Sequence, residues 1–430
     1  MKALFKNKNL SNSVVTLVIR LIGVATLFGL SFLMTNFVDE QYVGYYEFSR
    51  VALLTLATFG LIGTDQAILY FAGTLEAQKA SYSLKGIYYK MLSIVIIASV
   101  LLVGVYLLVP QSLFLSLGIR SDLLHILSHC IYILPFYTIT LLNTEAIRAY
   151  NKIILSEWFR NILKYVPLLL GVVLIVCSKI SEQTLVHWYL YGFIALAIAS
   201  FLVVLILSQK ETNSQIVNVE STQHILSVSY PMAISSFYTF LLMTIDVFLL
   251  GQYYGAEYVA FYAIAMKMMS VLSMVIVAVN VNFAPKISQF FATKDWTSMQ
   301  ENAKKSAKFI AGINFVVGGV LLLGGSIILR LFGENYTQAL SAYYILIAVQ
   351  MLVSTFGWSP IYLNMTEKQH LFHKIMGLAV VINLILNLIL LPKYDMVGAA
   401  ISYAITVLFW NSCVAIVAFK KDKIHLTLWK

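Results

Sequence analysis

The sequence predicts an all-α integral membrane protein with twelve transmembrane helices, arranged as two pseudo-symmetric six-helix lobes around a central cavity. Three observations predict this fold: an apolar composition, twelve long apolar runs and an internal repeat. Of the 430 residues, 60% are hydrophobic and 11% are charged, and the mean hydropathy is +0.84. In soluble domains about a quarter of the residues are charged. The composition therefore places most of the chain in lipid.

Each apolar run is long enough to cross a bilayer, whose hydrocarbon core requires about 20 apolar residues in a helix. The runs are too long and too uniformly apolar for the alternating strands of a membrane β-barrel. In chain order they are residues 14–36, 45–71, 86–109, 123–142, 153–176, 185–207, 225–250, 258–283, 309–329, 340–363, 371–391 and 396–419. The connectors between them are short, except for 208–224 and the lysine-rich segment 284–308, which we interpret as an amphipathic surface helix following Pro285.

Basic residues in the connectors predict the orientation. With the amino terminus in the cytoplasm, twenty lysines and arginines fall in cytoplasmic segments, and four fall on the opposite side: Arg120, Lys179, Arg330 and Lys393. This asymmetry follows the positive-inside rule and predicts both termini in the cytoplasm. The net charge of +10 therefore reflects membrane topology and gives no reason to expect a nucleic-acid partner.

An internal repeat relates the two halves of the chain. The cluster YVGYY at residues 42–46 recurs as YVAFY at 258–262, 216 positions later. The repeat predicts an N-terminal lobe over 1–207 and a C-terminal lobe over 225–430, joined by a cytoplasmic linker at 208–224. Internal repeats in an apolar chain are typical of transporters, whose pathway lies between the repeats.

Sequence motifs for nucleotide, dinucleotide or zinc-peptidase chemistry are not found, so neither a cofactor nor a metal is predicted. His125 and His129 have an i, i+4 spacing that suits a metal, but the sequence offers no third ligand, and we interpret them as interfacial histidines. Without a motif for ATP hydrolysis, transport would be passive or ion-coupled.

Charged residues inside the spans are the candidate site residues, because a charge in hydrocarbon is costly unless it faces protein or water. Some of these charges could instead neutralise one another within the bundle. We assign the deeper cations to the lining of a hydrated cavity, where they suit an anionic cargo such as a pyrophosphate. The carboxylates Asp65 and Asp246 are the candidates for binding a coupling ion. The predicted cavity cations are Arg20, Arg50, Lys164 and Lys267.

The chain resembles the Wzx-type oligosaccharide flippases over nearly its whole length. The resemblance rests on YVGYY with TFGL at 58–61 in the opening spans, the region from Asp246 to the 257–262 cluster, and PKIS at 285–288. LFGENY at 331–336, the asparagines at 383 and 387, LP at 391–392 and VGAA at 397–400 extend it. These flippases share a superfamily with the multidrug and toxin extrusion antiporters and the lipid II flippase.

The resemblance implies a cargo and a location. The cargo would be an undecaprenyl-pyrophosphate-linked oligosaccharide, the O-antigen repeat unit, moved from the cytoplasmic to the periplasmic leaflet of a bacterial inner membrane by alternating access. H⁺ or Na⁺ is the candidate coupling ion, and membrane lipids and other O-antigen assembly proteins are the candidate partners. A cation-coupled exporter of drugs or other small molecules is the alternative, and a membrane-embedded glycan-processing enzyme is a more remote one.

Overall fold

The computed structural model describes residues 8–78, 84–116, 119–209 and 220–428. Within these residues the chain is helical and contains no strand, as expected where backbone polar groups must be satisfied without water. It forms two compact units, Met1–Phe240 and Leu241–Lys430, and the boundary falls inside one long helix. Residues 210–219 of the predicted linker lie outside the described residues, so the proposed lobe boundaries remain a prediction.

The first unit is built on nine helices and the start of a tenth. Helix α6 packs against α2, α3, α4 and α9. Inside this bundle Asn143 of α6 accepts a hydrogen bond from the Tyr88 hydroxyl (2.7 Å) and donates one to Ser200 Oγ (3.0 Å). The helices are α1 Lys8–Phe37, α2 Glu40–Leu61, α3 Thr64–Gln78, α4 Leu84–Leu108, α5 Gln111–Ser116, α6 Ser121–Ala149, α7 Ile153–Asn161, α8 Val166–Val176, α9 Leu185–Gln209 and α10 Thr222–Tyr254.

The second unit comprises the end of α10 and five further helices: α11 Ala256–Ala292, α12 Trp296–Leu331, α13 Leu340–Ser354, α14 Ser359–Met365 and α15 Gln369–Asp422. Helix α13 packs against α11, α12 and α15. A buried apolar cluster joins Ile276, Ile310, Val353 and Val407 from these four helices. The expected surface helix after Pro285 is wrong: α11 continues through Pro285 to Ala292, and α12 begins at Trp296, where Asp295 accepts a hydrogen bond from the Ser298 amide.

The membrane-spanning count agrees with the sequence. Within the described residues, ten helices are long and apolar enough to cross a membrane, and α2 with α3 forms one further bent span. Helix α15 supplies two of the spans, because its 54 residues extend for about 80 Å and its backbone leaves helical geometry at Tyr394 and Asp395. The prediction of an all-α membrane protein with twelve spans is confirmed.

The repeat also appears in the helix positions. Helix α2 begins at Glu40 and α11 begins at Ala256, which preserves the 216-residue offset seen in the sequence. Tyr46 and Tyr262 occupy equivalent positions in these helices, and both side chains are fully buried. Equivalent residues of the two halves therefore begin equivalent helices and bury the same type of side chain.

Candidate functional site: a charged cavity and a buried carboxylate

A cavity of about 260 Å³ lies inside the first unit, among α2, α3, α6, α9 and the segment from α7 to α8. Its lining combines cations and carboxylates with aromatic rings, including Tyr137, Tyr165 and Tyr189. Two predicted cavity cations, Arg50 and Lys164, and the predicted coupling residue Asp65 all line it. The charged residues of the lining are Arg50, Asp65, Glu145, Arg160 and Lys164.

Arg50 reaches the cavity from α2. Its Nε donates a hydrogen bond of 2.9 Å to the carboxylate of Glu47, one turn earlier, whose side chain is only 1% exposed. A buried carboxylate beside the guanidinium holds it in position and balances part of its charge. Since this bond uses Nε, it leaves the terminal amino groups of Arg50 uncommitted to Glu47, and such a planar fork is suited to phosphate oxygens.

Lys164 is placed by a break in the fifth span. Helix α7 ends at Asn161, a single 3-10 turn follows at Leu163–Tyr165, and α8 then starts with Pro167 in its first turn. Proline has no N–H to continue the ladder of α7, which favours the break. The Lys164 ammonium lies 4.8 Å from the centre of the Tyr165 ring, a cation–π distance.

Asp65 is placed by a break in the second span. Ile62 and Gly63 both have left-handed backbone angles, and α3 starts again at Thr64 at an angle of 51° to α2. Asp65 therefore sits in the first turn of α3, where unpaired N–H groups stabilise a carboxylate. A side-chain carbon at position 63 would lie 2.2 Å from the carbonyl oxygen of Ser229, so α10 packs directly against this break.

Arg160 and Glu145 also line the cavity and form an ion pair, but the sequence analysis did not assign either to the site. Arg160 was grouped with charges near the end of the fifth span, and Glu145 follows the fourth apolar run by three residues. Helix α6 extends beyond that run to Ala149 and brings Glu145 opposite α7. A search for carboxylates within one turn of each span's end would have found Glu145.

Arg20 lies elsewhere. Its guanidinium donates two hydrogen bonds to Glu157, at 2.7 and 3.0 Å, and joins α1 to α7. The Glu157 side chain is fully buried and the Arg20 side chain is 48% exposed. Arg20 is not among the residues that line the cavity. This pair corresponds to the alternative considered for the intramembrane charges, namely mutual neutralisation within the bundle.

The second unit contains a buried carboxylate with neutral partners. Asp246 of α10 is fully buried and accepts hydrogen bonds from Asn387 Nδ2 (2.7 Å) and from the Tyr262 hydroxyl (3.1 Å). Asn387 also approaches Asn383 Oδ1 to 3.2 Å. Among the described residues no lysine or arginine pairs with Asp246. The Asn387 Oδ1 atom is buried without a hydrogen-bond donor, so uncompensated oxygen atoms collect around this carboxylate.

Lys267, the remaining predicted cavity cation, lies in α11 and is only 6% exposed. It follows Met266, the position that the repeat relates to Arg50. The two asparagines beside Asp246 were noticed only as part of the resemblance. Their i, i+4 spacing in an apolar run is a signal that could have identified them as partners of an intramembrane charge.

His125 and His129 acquire a neighbour in the structure. The His129 ring lies 4.8 Å from that of His125 and 4.9 Å from that of His187 in α9, measured between ring centres. His129 Nδ1 is also 3.0 Å from the Tyr191 hydroxyl. Across the residues that the structure describes, no group of three or more histidine, cysteine or acidic side chains has a geometry that could hold a metal.

Comparisons with known proteins define the class first. The fold resembles that of the lipid II flippase MurJ in an inward closed conformation, with a TM-score of 0.71 at 13% identity, covering 96% of this chain and 88% of that one. It also resembles the MATE multidrug transporter DinF-BH (0.65, 14%, 96% and 94%) and the Vibrio cholerae MATE transporter VcmN (0.60, 16%, 96% and 97%). The protein is a multi-pass helical membrane protein with the fold of these transporters.

The family follows from the sequence itself. The family described as "Polysaccharide biosynthesis protein" matches residues 9–291, about two thirds of the chain, and the MatE family matches residues 231–389. The chain belongs to the polysaccharide biosynthesis protein family. No curated protein sequence matches it.

Proposed function

We propose that the protein is a flippase that moves an undecaprenyl-pyrophosphate-linked oligosaccharide, the O-antigen repeat unit, from the cytoplasmic to the periplasmic leaflet. The observation that carries the proposal is the cavity of the first unit. There Arg50, Arg160 and Lys164 lie with several aromatic rings inside a bundle of membrane-spanning helices. Membership of the polysaccharide biosynthesis family supports a glycan cargo.

The cavity addresses the physical difficulty of this transport. A polyprenol tail can stay in lipid, whereas a pyrophosphate and sugar hydroxyls would each lose their hydrogen bonds in hydrocarbon, at a cost of several kcal/mol per group. Guanidinium and ammonium groups replace water around the pyrophosphate, and aromatic rings offer faces to the sugars. The cavity would thus lower the barrier for the polar head group.

The size of the cavity indicates which part of the cargo it receives. Pockets for drug-sized ligands have volumes of about 300–1,000 Å³, and this cavity has about 260 Å³. It fits the pyrophosphate better than a whole oligosaccharide. We therefore assign Arg50 and Lys164 to the pyrophosphate, with Arg160 beside them. Arg20 would act by fixing α1 against α7, and Lys267 would supply a cation in the second unit.

Asp246 is the proposed coupling residue. Its carboxylate is buried without a cation partner among the described residues, and oxygen atoms of Asn383 and Asn387 lie beside it. Hard cations prefer oxygen ligands, and a proton would serve equally to neutralise the buried charge. Binding of H⁺ or Na⁺ here would couple an ion gradient to the transport cycle. Asp65, which lines the cavity, is the second candidate.

The experiment that tests the flippase is depletion of the protein in its host. Lipid-linked repeat units should then accumulate where a membrane-impermeant sugar-labelling reagent in the periplasm cannot reach them. Re-expression should restore labelling. Normal labelling of periplasmic lipid-linked glycan during depletion would contradict the proposed function. The expected location is the bacterial inner membrane, where other O-antigen assembly proteins would receive the translocated unit.

A cation-coupled exporter of small molecules is the second candidate function. Two observations favour it: the match of residues 231–389 to the MatE family, and the presence of the carboxylates Asp65 and Glu145 in the cavity. These carboxylates would suit a cationic drug, whereas the three cations suit an anion. Efflux of organic cations driven by an ion gradient in proteoliposomes, without translocation of a lipid-linked glycan, would establish the exporter.

A further inference from the structure

The end of α15 is fixed across α12 by a short returning segment. Lys423 has a left-handed backbone (φ +60°), which turns the chain back after Asp422. Gln300 of α12 then exchanges two hydrogen bonds with the backbone of His425, at 2.7 and 2.9 Å. Ile424 and Leu426 are almost fully buried. This segment, residues 423–428, holds the lysine-rich end of α15 in a defined position beside α12.

A groove lies between these two elements, and we call it the basic groove. It has a volume of about 790 Å³. Lysines reach it from both sides, with Lys304 on α12 and Lys421 and Lys423 at the end of α15. Its lining residues are Trp296, Thr297, Gln300, Glu301, Lys304, Lys421, Asp422, Lys423 and Ile424.

The acidic residues of the basic groove are already neutralised. Asp422 accepts two hydrogen bonds from the Lys368 ammonium, at 2.9 and 3.0 Å, and a third from the Tyr362 hydroxyl. Glu301 pairs with Lys305 at 2.6 Å. Within the described part of the chain, no carboxylate pairs with Lys304 or Lys421. The basic groove therefore carries a positive charge that the protein does not compensate.

The position of the basic groove matches the head-group layer of a membrane. Helix α12 exposes an apolar stripe that begins at Phe309 and continues through Val316, Val320 and Leu323, with exposures of 60–91%. Lys304 precedes Phe309 by five residues, which is about 8 Å along the helix. The polar layer on each side of the hydrocarbon core is about 5–8 Å deep. On α15, Lys421 and Lys423 follow the exposed Phe419. The lysines are thus at phosphate level when the stripe is in hydrocarbon.

We propose that the basic groove binds the phosphate of an anionic membrane phospholipid, whose acyl chains lie along the apolar stripe of α12. Lys304, Lys421 and Lys423 surround the phosphate, and Trp296 borders the groove at interfacial depth, where tryptophan is favoured. A bound phospholipid would link α12 to the end of α15. This site concerns the surrounding lipid and does not depend on which cargo the protein carries.

The test is lipid binding to the purified full-length protein, measured by native mass spectrometry. Phosphatidylglycerol should bind in preference to phosphatidylcholine with the same acyl chains, and the preference should fall as the salt concentration rises. The variant Lys304→Gln/Lys421→Gln/Lys423→Gln should bind phosphatidylglycerol at least tenfold more weakly, since each lysine near an anionic surface contributes about fivefold. The control variant Lys286→Gln/Lys374→Gln/Lys393→Gln removes three exposed lysines of the same unit and should bind as the wild type does.

Equal binding of the two phospholipids by the wild type would overturn the proposal, and this comparison does not depend on any variant folding. So would unchanged binding by the groove variant. Competition identifies the source of the phosphate. Displacement of phosphatidylglycerol by equimolar inorganic pyrophosphate would show a site for free anions, and tighter binding of a polyprenyl pyrophosphate would assign the site to the cargo. Either result would contradict a phospholipid site.

Discussion

At the residue scale, the intramembrane charges differ in their partners, and these differences decide their roles. Arg20 is neutralised by Glu157, Arg50 and Lys164 face a cavity, and Asp246 is surrounded by neutral polar groups. The sequence located every one of these charges by its cost in hydrocarbon. It could not predict the pairing of Arg20, because Glu157 is 137 positions away and reaches α1 only through the packing of α7.

Arg50 is best tested together with Glu47. Arg50→Ala alone would leave the Glu47 carboxylate buried and unpaired, at a cost of about 3–5 kcal/mol in folding free energy. In Glu47→Gln/Arg50→Gln no buried charge is stranded, yet the cavity loses its guanidinium. We expect glycan translocation to fall about ten- to a hundredfold, the worth of a hydrogen bond to a charged group. The measurement is the translocation rate in proteoliposomes at matched protein content.

A matched control for this double variant is Arg330→Gln/Glu334→Gln. It removes an exposed ion pair of the second unit, in which the charged atoms are 3.6 Å apart. Exposed pairs contribute about 0–1 kcal/mol, so translocation should be unchanged. Arg50→Lys should keep partial activity, since lysine retains the charge and loses the planar fork. Full activity of the Glu47→Gln/Arg50→Gln protein would exclude Arg50 from cargo binding.

Asp246→Asn tests ion coupling. Asparagine has nearly the same shape and can keep hydrogen bonds with Asn387 and Tyr262, but it cannot change its charge. We expect an imposed H⁺ or Na⁺ gradient to accelerate translocation by the wild type and to have no effect on the variant, while cargo binding persists. The control is Asp295→Asn, because Asp295 is an exposed helix cap and asparagine caps equally well. A gradient response that survives in Asp246→Asn would place coupling elsewhere.

At the element scale, interruptions of the helices bring the site residues to the cavity. The second span breaks at Ile62 and Gly63, and the fifth breaks between α7 and α8. Hydropathy predicted both spans as continuous, because the residues at the breaks are as apolar as their neighbours and other helices shield the exposed backbone. The glycine at 63 and the proline at 167 were the available local signals. They show where a helix is able to break and do not determine whether it does.

Gly63→Ala tests the break in the second span. Residue 63 has a left-handed backbone (φ +76°), and an added side-chain carbon would meet backbone atoms of α10 at 2.2 and 2.7 Å. We expect a loss of more than about 2 kcal/mol in stability, seen as a lower thermal unfolding temperature in detergent. Gly73→Ala in α3 is the control, since nothing lies within 4 Å of the added carbon. It should be neutral or stabilising by about 0.5–1 kcal/mol. Equal stability of the two variants would contradict the packing of α10 against the break.

At the scale of the whole molecule, the sequence predicted the fold class and the number of spans because lipid imposes a strong length requirement on each helix. Two details differed. The segment after Pro285 belongs to α11 and α12, because the capped turn at Asp295 lets both helices extend beyond their apolar parts. The last two spans are joined through only two non-helical residues, Tyr394 and Asp395. Neither detail changes the topology predicted from the basic residues.

The predicted topology places Lys294 in the cytoplasm and Lys393 in the periplasm. In a background without Cys130, Cys177 and Cys413, single cysteines at these two positions should react with a membrane-impermeant maleimide from opposite sides. Both residues are exposed, so reactivity will report the side of the membrane rather than burial. Labelling of both cysteines from the same side would show that the spans between them are miscounted. The orientation follows from which cysteine reacts in intact cells.

The central claim, that this protein moves a lipid-linked glycan, is tested most directly by reconstitution. Purified protein in liposomes that contain an undecaprenyl-pyrophosphate-linked oligosaccharide should expose the glycan on the opposite leaflet, where an external glycosidase or lectin detects it. Protein-free liposomes and the Glu47→Gln/Arg50→Gln protein should show little exposure. We expect translocation by the wild type well above both. No glycan translocation, together with gradient-driven efflux of an organic cation from the same liposomes, would contradict the account and identify a drug exporter instead.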